Sequence, residues 1–139
     1  MKYKEKLEIT AIGSGVENSL VAVEDTNDTA DNKYVYVSIQ SNKYIRPNTK
    51  IALVATKEDY GRFVSKIRKE LIGHHTPELR QVAVLSCTSF CEVLRVIKVD
   101  NDTFDVMMYY NYKRPRDKVC KDDVSLTAVD LEKFIGGLK

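Results

Sequence analysis

The chain has 139 residues, with 22 Lys or Arg against 20 Asp or Glu, 43% hydrophobic residues and 30% charged ones. Such a balance belongs to one folded domain spanning 1–139 rather than to a disordered tail, and no apolar run approaches the roughly 20 residues of a membrane helix. The first ten residues mix Lys2, Lys4 and Lys6 with Glu5 and Glu8 and carry no apolar stretch, so no secretory signal is expected and the expected compartment is cytoplasmic or nuclear.

The first half reads as antiparallel strands. Residues 7–12 alternate, Gly13-Ser14-Gly15 punctuates, and residues 19–24 return. Residues 26–32 are nearly all small or polar and predict a loop. In residues 33–40, Tyr34, Tyr36 and Ser38 fall on one face and Val35, Val37 and Ile39 on the other, a period of two. The chain then turns through Pro47, and residues 50–55 predict a fourth strand.

A long amphipathic helix over about 57–72 follows. Thr56 is placed to cap it, with Asp59 three residues on, and Tyr60, Phe63, Val64, Ile67 and Leu71 recur at helical spacing. Gly73 stands where a left-handed C-terminal cap is expected. Residues 81–87 predict a strand on the strength of Val82 and Val84. Residues 92–99 and 104–112 predict a hairpin joined by Asp100-Asn101-Asp102-Thr103. Thr127 and Asp130 repeat the capping spacing and open a short C-terminal helix through Phe134 and Ile135, ended by Gly136-Gly137. No repeat of fixed period is found. The expected fold is α+β: a mainly antiparallel sheet or partly open barrel of about 6–7 strands, carrying one long and one short helix.

Catalytic signatures are thin. His74 and His75 are the only histidines. His74-His75-Thr76 matches a bare His-x-Thr pattern, but the two-histidine phosphoesterases that use it need a second copy, which this chain lacks. Cys87, Cys91 and Cys120 have no zinc spacing, and an odd, sparse set fits buried reduced thiols. Gly13-Ser14-Gly15 lacks the Gly-Lys-Ser/Thr of a phosphate loop and precedes a strand. No metal and no cofactor are expected.

Charge layout says more than the net charge of +2. Residues 17–31 hold five acids (Glu17, Glu24, Asp25, Asp28, Asp31) and no base, whereas residues 113–121 hold five bases (Lys113, Arg114, Arg116, Lys118, Lys121) and one acid, Asp117. Tyr109, Tyr110 and Tyr112 run directly into that basic stretch. Rings stack on bases and cations neutralise phosphates, which is the chemistry of a single-strand groove. In a strand, Tyr110 and Tyr112 share one face and Tyr109 takes the other. Arg62, Lys66 and Lys69, at helical spacing off the apolar face, and Lys43, Arg46 and Lys50 around Pro47, would extend such a surface if they converge with it.

Residues 93–124, a strand ending in Val99-Asp100, a polar turn, an aromatic-rich strand and a charged loop before Asp123-Val124, resemble a segment of a Tudor or SH3-like barrel. The likeness covers about a quarter of the chain, with no counterpart for the N-terminal half or the long helix. It implies ligand binding through an aromatic cage or a basic surface.

The leading expectation is a non-enzymatic binding protein contacting nucleic acid through Tyr110, Tyr112, Lys113, Arg114, Arg116 and Lys118, with Arg62, Lys66 and Lys69 on the same surface. The alternative is a protein-interaction module or inhibitor docking through its opposed charge patches or a strand edge. An enzyme using His74 or His75 with a carboxylate is the third reading. None of the three places the protein in a membrane.

Overall fold

The computed structural model describes residues 9–12, 18–24, 34–41, 53–86, 92–110 and 119–137. Four strands come first: β1 (Ile9–Ile12), β2 (Asn18–Glu24), β3 (Tyr34–Ser41) and β4 (Leu53–Thr56). They form one antiparallel sheet in chain order, with Leu20 opposite Ala11 and Ile39, and Val37 opposite Ala22 and Leu53. Helix α1 (Lys57–Gly73) leaves β4 without an intervening loop. The pattern then recurs. Strands β5 (Gln81–Ser86), β6 (Glu92–Lys98), β7 (Thr103–Tyr110) and β8 (Val119–Thr127) form a second antiparallel sheet in chain order, and helix α2 (Ala128–Gly137) follows at once.

The fold is thus α+β and antiparallel, as the sequence predicts, but among the described residues eight strands form two sheets rather than 6–7 strands of one sheet or barrel. The Tudor-like expectation fails for the same reason: β6, β7 and β8 belong to an open four-stranded meander. The missed strand is β8, which begins at Val119 within the segment expected to be a charged loop. Its Lys121-Asp122-Asp123 run masks the alternation, and its register against β7 shifts between Met108 and Tyr109.

Both helices start in the same way. The Thr56 hydroxyl accepts the Asp59 N–H at 3.0 Å, and the Thr127 hydroxyl accepts the Asp130 N–H at 3.1 Å. Each cap satisfies an N–H that has no partner in the first helical turn. At the other end of α1 the expected glycine cap shifts by one residue. Gly73 stays helical, and His74 adopts the left-handed conformation (φ 47°) while donating its N–H to Glu70 O at 2.9 Å.

The packing is reciprocal. Helix α1 lies against β5, the outer strand of the second sheet, and α2 lies against β1, the outer strand of the first. The helices touch each other, and β8 meets β2 and β3. One core results, joining Leu20, Val37 and Leu53 to Leu94, Phe104, Val106 and Leu126 through Phe63, Ile67, Leu131 and Phe134. Burying each such side chain contributes about 1.5–3 kcal/mol. In α1 the buried face is Tyr60, Phe63, Val64, Ile67 and Glu70, with Leu71 only half-buried, so a carboxylate holds the place the sequence pattern assigns to leucine. Among the described residues no helix is long and apolar enough to cross a membrane.

Candidate nucleic-acid interface

Strand alternation divides the second sheet into two faces. Leu94, Val96, Phe104, Val106, Met108, Val124 and Leu126 face the core. Arg95, Ile97, Asp105, Met107, Tyr109 and Ser125 lie half-buried on the outer face. There the Arg95 guanidinium sits 5.7 Å from the centroid of the Tyr109 ring, and the Tyr109 hydroxyl donates to Met107 Sδ at 3.2 Å. The two residues are diagonal neighbours, because Arg95 pairs with Met107 and Tyr109 with Val93. The hydroxyl's reach to Met107, two residues back, aligns the ring with its own strand, with the cation over it. A guanidinium and an aromatic ring held side by side on one face are groups on which nucleobases can stack.

Register then places the neighbouring parts. Ser86, Val93, Tyr109 and Cys120 form one row across β5, β6, β7 and β8. At the β5 end of that row a groove of about 290 Å³ opens between α1 and β5, lined by Asp59, Arg62, Phe63, Lys66, Val84, Leu85 and Ser86. From Ser86 to Tyr109 is two strand spacings, about 10 Å. At the other end, Tyr110 pairs with Val119 next to that row, and these two residues bracket 111–118 in the sequence.

Of the expected site residues, Arg62, Lys66 and Lys69 are exposed on α1. Arg62 is already engaged: its guanidinium donates to Asp59 Oδ1 at 2.6 Å and Glu58 Oε1 at 2.7 Å. Such solvent-facing pairs contribute little stability and exchange readily. Lys66 and Lys69 make no ion pair among the described residues. Tyr110 closes β7 opposite Glu92 and Val119, while Tyr112, Lys113, Arg114, Arg116 and Lys118 lie outside the described residues, as do Lys43, Arg46 and Lys50. Arg95 is absent from the sequence reading, and Tyr109, named there in the aromatic run, falls outside the expected site residues. Their signal was present as alternation in two paired strands, but only the register shows which arginine meets which tyrosine.

The chain matches no protein-family model, no curated protein and no solved structure. Function therefore rests on this geometry alone.

The two histidines lie at the C-terminal end of α1. His75 Nδ1 lies 3.9 Å from Glu70 Oε1, so a histidine and a carboxylate do meet. That carboxylate is committed elsewhere: Oε1 accepts the Thr76 N–H at 2.7 Å, and Oε2 accepts from Lys98 Nζ at 2.9 Å. Burial alone would push the Glu70 carboxyl up, but hydrogen bonds from Thr76 and Lys98 outweigh it and hold the group below its ordinary value. Glu70 thereby ties the end of α1 to β6 and to the following loop. Neither histidine lines the α1–β5 groove. No cluster of three or more metal-ligating side chains occurs among the described residues; Cys87 and Cys91 fall outside them.

Proposed function

We propose that this chain is a non-enzymatic binding protein that contacts nucleic acid along the Ser86–Tyr109–Cys120 edge of its second sheet. The observation that carries the reading is the Arg95 guanidinium placed 5.7 Å from the Tyr109 ring centroid on the sheet's outer face. It shares that edge with Lys66 and with Tyr110 and Val119, which bracket basic segment 111–118 in the sequence. Bases stack on the Arg95–Tyr109 platform, Lys66 and Lys69 take phosphates, and Arg62 joins them by exchanging its two carboxylates for phosphate oxygens. Lys113, Arg114, Arg116 and Lys118 add charge from the connecting segment, and Tyr110 and Tyr112 stand just before these cations in the sequence.

Fluorescence anisotropy with labelled single-stranded and duplex DNA and RNA tests this reading. Affinity should fall steeply with salt, and Lys66→Ala should reduce the logarithmic salt slope by about one while weakening all sequences alike. Tyr109→Ala and Arg95→Ala should each remove about 1–3 kcal/mol of single-strand affinity. Absence of binding to every probe at low salt would remove the proposal. A protein-docking role through a strand edge then takes its place, favoured by exposed Val84 on the outer strand β5.

A further inference from the structure

Away from that edge, a second groove of about 380 Å³ lies where α1 meets α2, lined by Arg68, Leu71, Ile72, Glu132, Ile135 and Gly136. Its floor is apolar. Ile135 is buried, Leu71 is half-buried, and Ile72 stands 78% exposed on the wall, so three apolar side chains line one groove. The rim carries one base and one acid, Arg68 and Glu132, both exposed, and neither makes an ion pair among the described residues. At Gly136 an added Cβ would meet nothing within 4 Å among the described residues, which leaves the α2 side of the groove open to an approaching surface.

A groove with one positive and one negative wall is complementary to itself. Two-fold rotation sets each wall against the opposite wall of the second copy, so Arg68 faces Glu132 twice, whereas a partner of single sign would leave one wall repelled. We propose that the α1–α2 groove is the interface of a symmetric dimer of this chain. Ile72 from each copy enters the groove of the other, and two Arg68–Glu132 pairs close the rim.

Sedimentation of the full chain from low micromolar to submillimolar concentration tests this. Wild type should show a reversible monomer–dimer equilibrium. Ile72→Asp should weaken it by roughly 30-fold or more, the scale of an interface hot spot. Arg68→Glu and Glu132→Arg should each weaken self-association, because each sets like charges opposite. Mixing these two variants should restore dimers, since one copy then carries two acids at the contact and the other two bases. All three changes fall on exposed side chains, and circular dichroism confirms that each variant folds. Wild type that stays monomeric throughout would overturn the proposal. So would a dimer indifferent to Ile72→Asp, or a mixture that associates no better than either variant alone.

Discussion

Removing the ammonium of Lys98 tests whether charge ties α1 to the second sheet. Lys98 and Glu70 are 3% and 1% exposed and their charged atoms are 2.9 Å apart. In Lys98→Met the Glu70 carboxylate keeps the Thr76 N–H but loses its counter-charge where water scarcely reaches. Deleting one partner of a buried pair costs about 3–5 kcal/mol. The pair lies close to exposed His74 and His75, so local opening can admit water, and the lower end, about 3 kcal/mol, is expected. Urea unfolding followed by circular dichroism reads this as a midpoint lowered by roughly 1–3 M, given slopes of about 1–3 kcal/mol/M.

The pH dependence supplies an independent sign. In wild type the Glu70 carboxyl is held below its ordinary value, so its stabilisation is present above the ordinary carboxylate range and is lost as pH falls through the lowered value. In Lys98→Met the lowering effect of Lys98 is lost while that of Thr76 remains, so the carboxyl titrates higher than in wild type. The variant's deficit should therefore shrink between neutral and mildly acidic pH. Adding Glu70→Gln should recover much of the loss, because the amide oxygen still accepts the Thr76 N–H. A deficit below about 1 kcal/mol, or one equal at neutral and mildly acidic pH, would refute the reasoning.

The Tyr60 hydroxyl is buried and finds no hydrogen-bond partner among the described residues, and burial pushes its pKa up. Tyr60→Phe should leave stability unchanged or raise it by up to about 1 kcal/mol, measured by urea unfolding; a clear loss would reveal a hidden bond. Gly61 is exposed within α1, and an added Cβ would meet nothing within 4 Å, so Gly61→Ala should raise stability by about 1 kcal/mol in the same assay. His74→Gly relieves a left-handed residue of its Cβ and should stabilise by about 1 kcal/mol in thermal melts. If that variant also keeps full nucleic-acid affinity, the histidine has no part in binding.

Local patterns in the sequence carried α1, both threonine caps and the β6–β7 hairpin, because each depends on residues close along the chain. The turn between those strands shows how local such a signal is: Asp100 Oδ1 accepts the Asp102 N–H at 2.8 Å, and Thr103 O accepts from both Val99 and Asp100. Division into two sheets was not legible, since alternation states which residues share a face and not which strands share a sheet. Nor was the burial of Glu70. Its partner Lys98 is 28 positions away on β6, and helical spacing favoured Leu71 one residue later. The site divides along the same line. The cations of α1 could be read off as a helical row, whereas the Arg95–Tyr109 pair needs the register of two strands.

Reciprocal packing has a consequence for a chain made on the ribosome. Strand β1 is synthesised more than a hundred residues before the helix that covers it, α2. At about 5–20 residues per second, the delay between them is roughly 6–24 seconds. Until α2 emerges, β1 is an uncovered sheet edge, open to pairing with the same strand of another nascent chain. The second half of the chain therefore serves the first as a chaperone does, and mutations that weaken α2 should appear first as aggregation during synthesis rather than as a lower melting temperature.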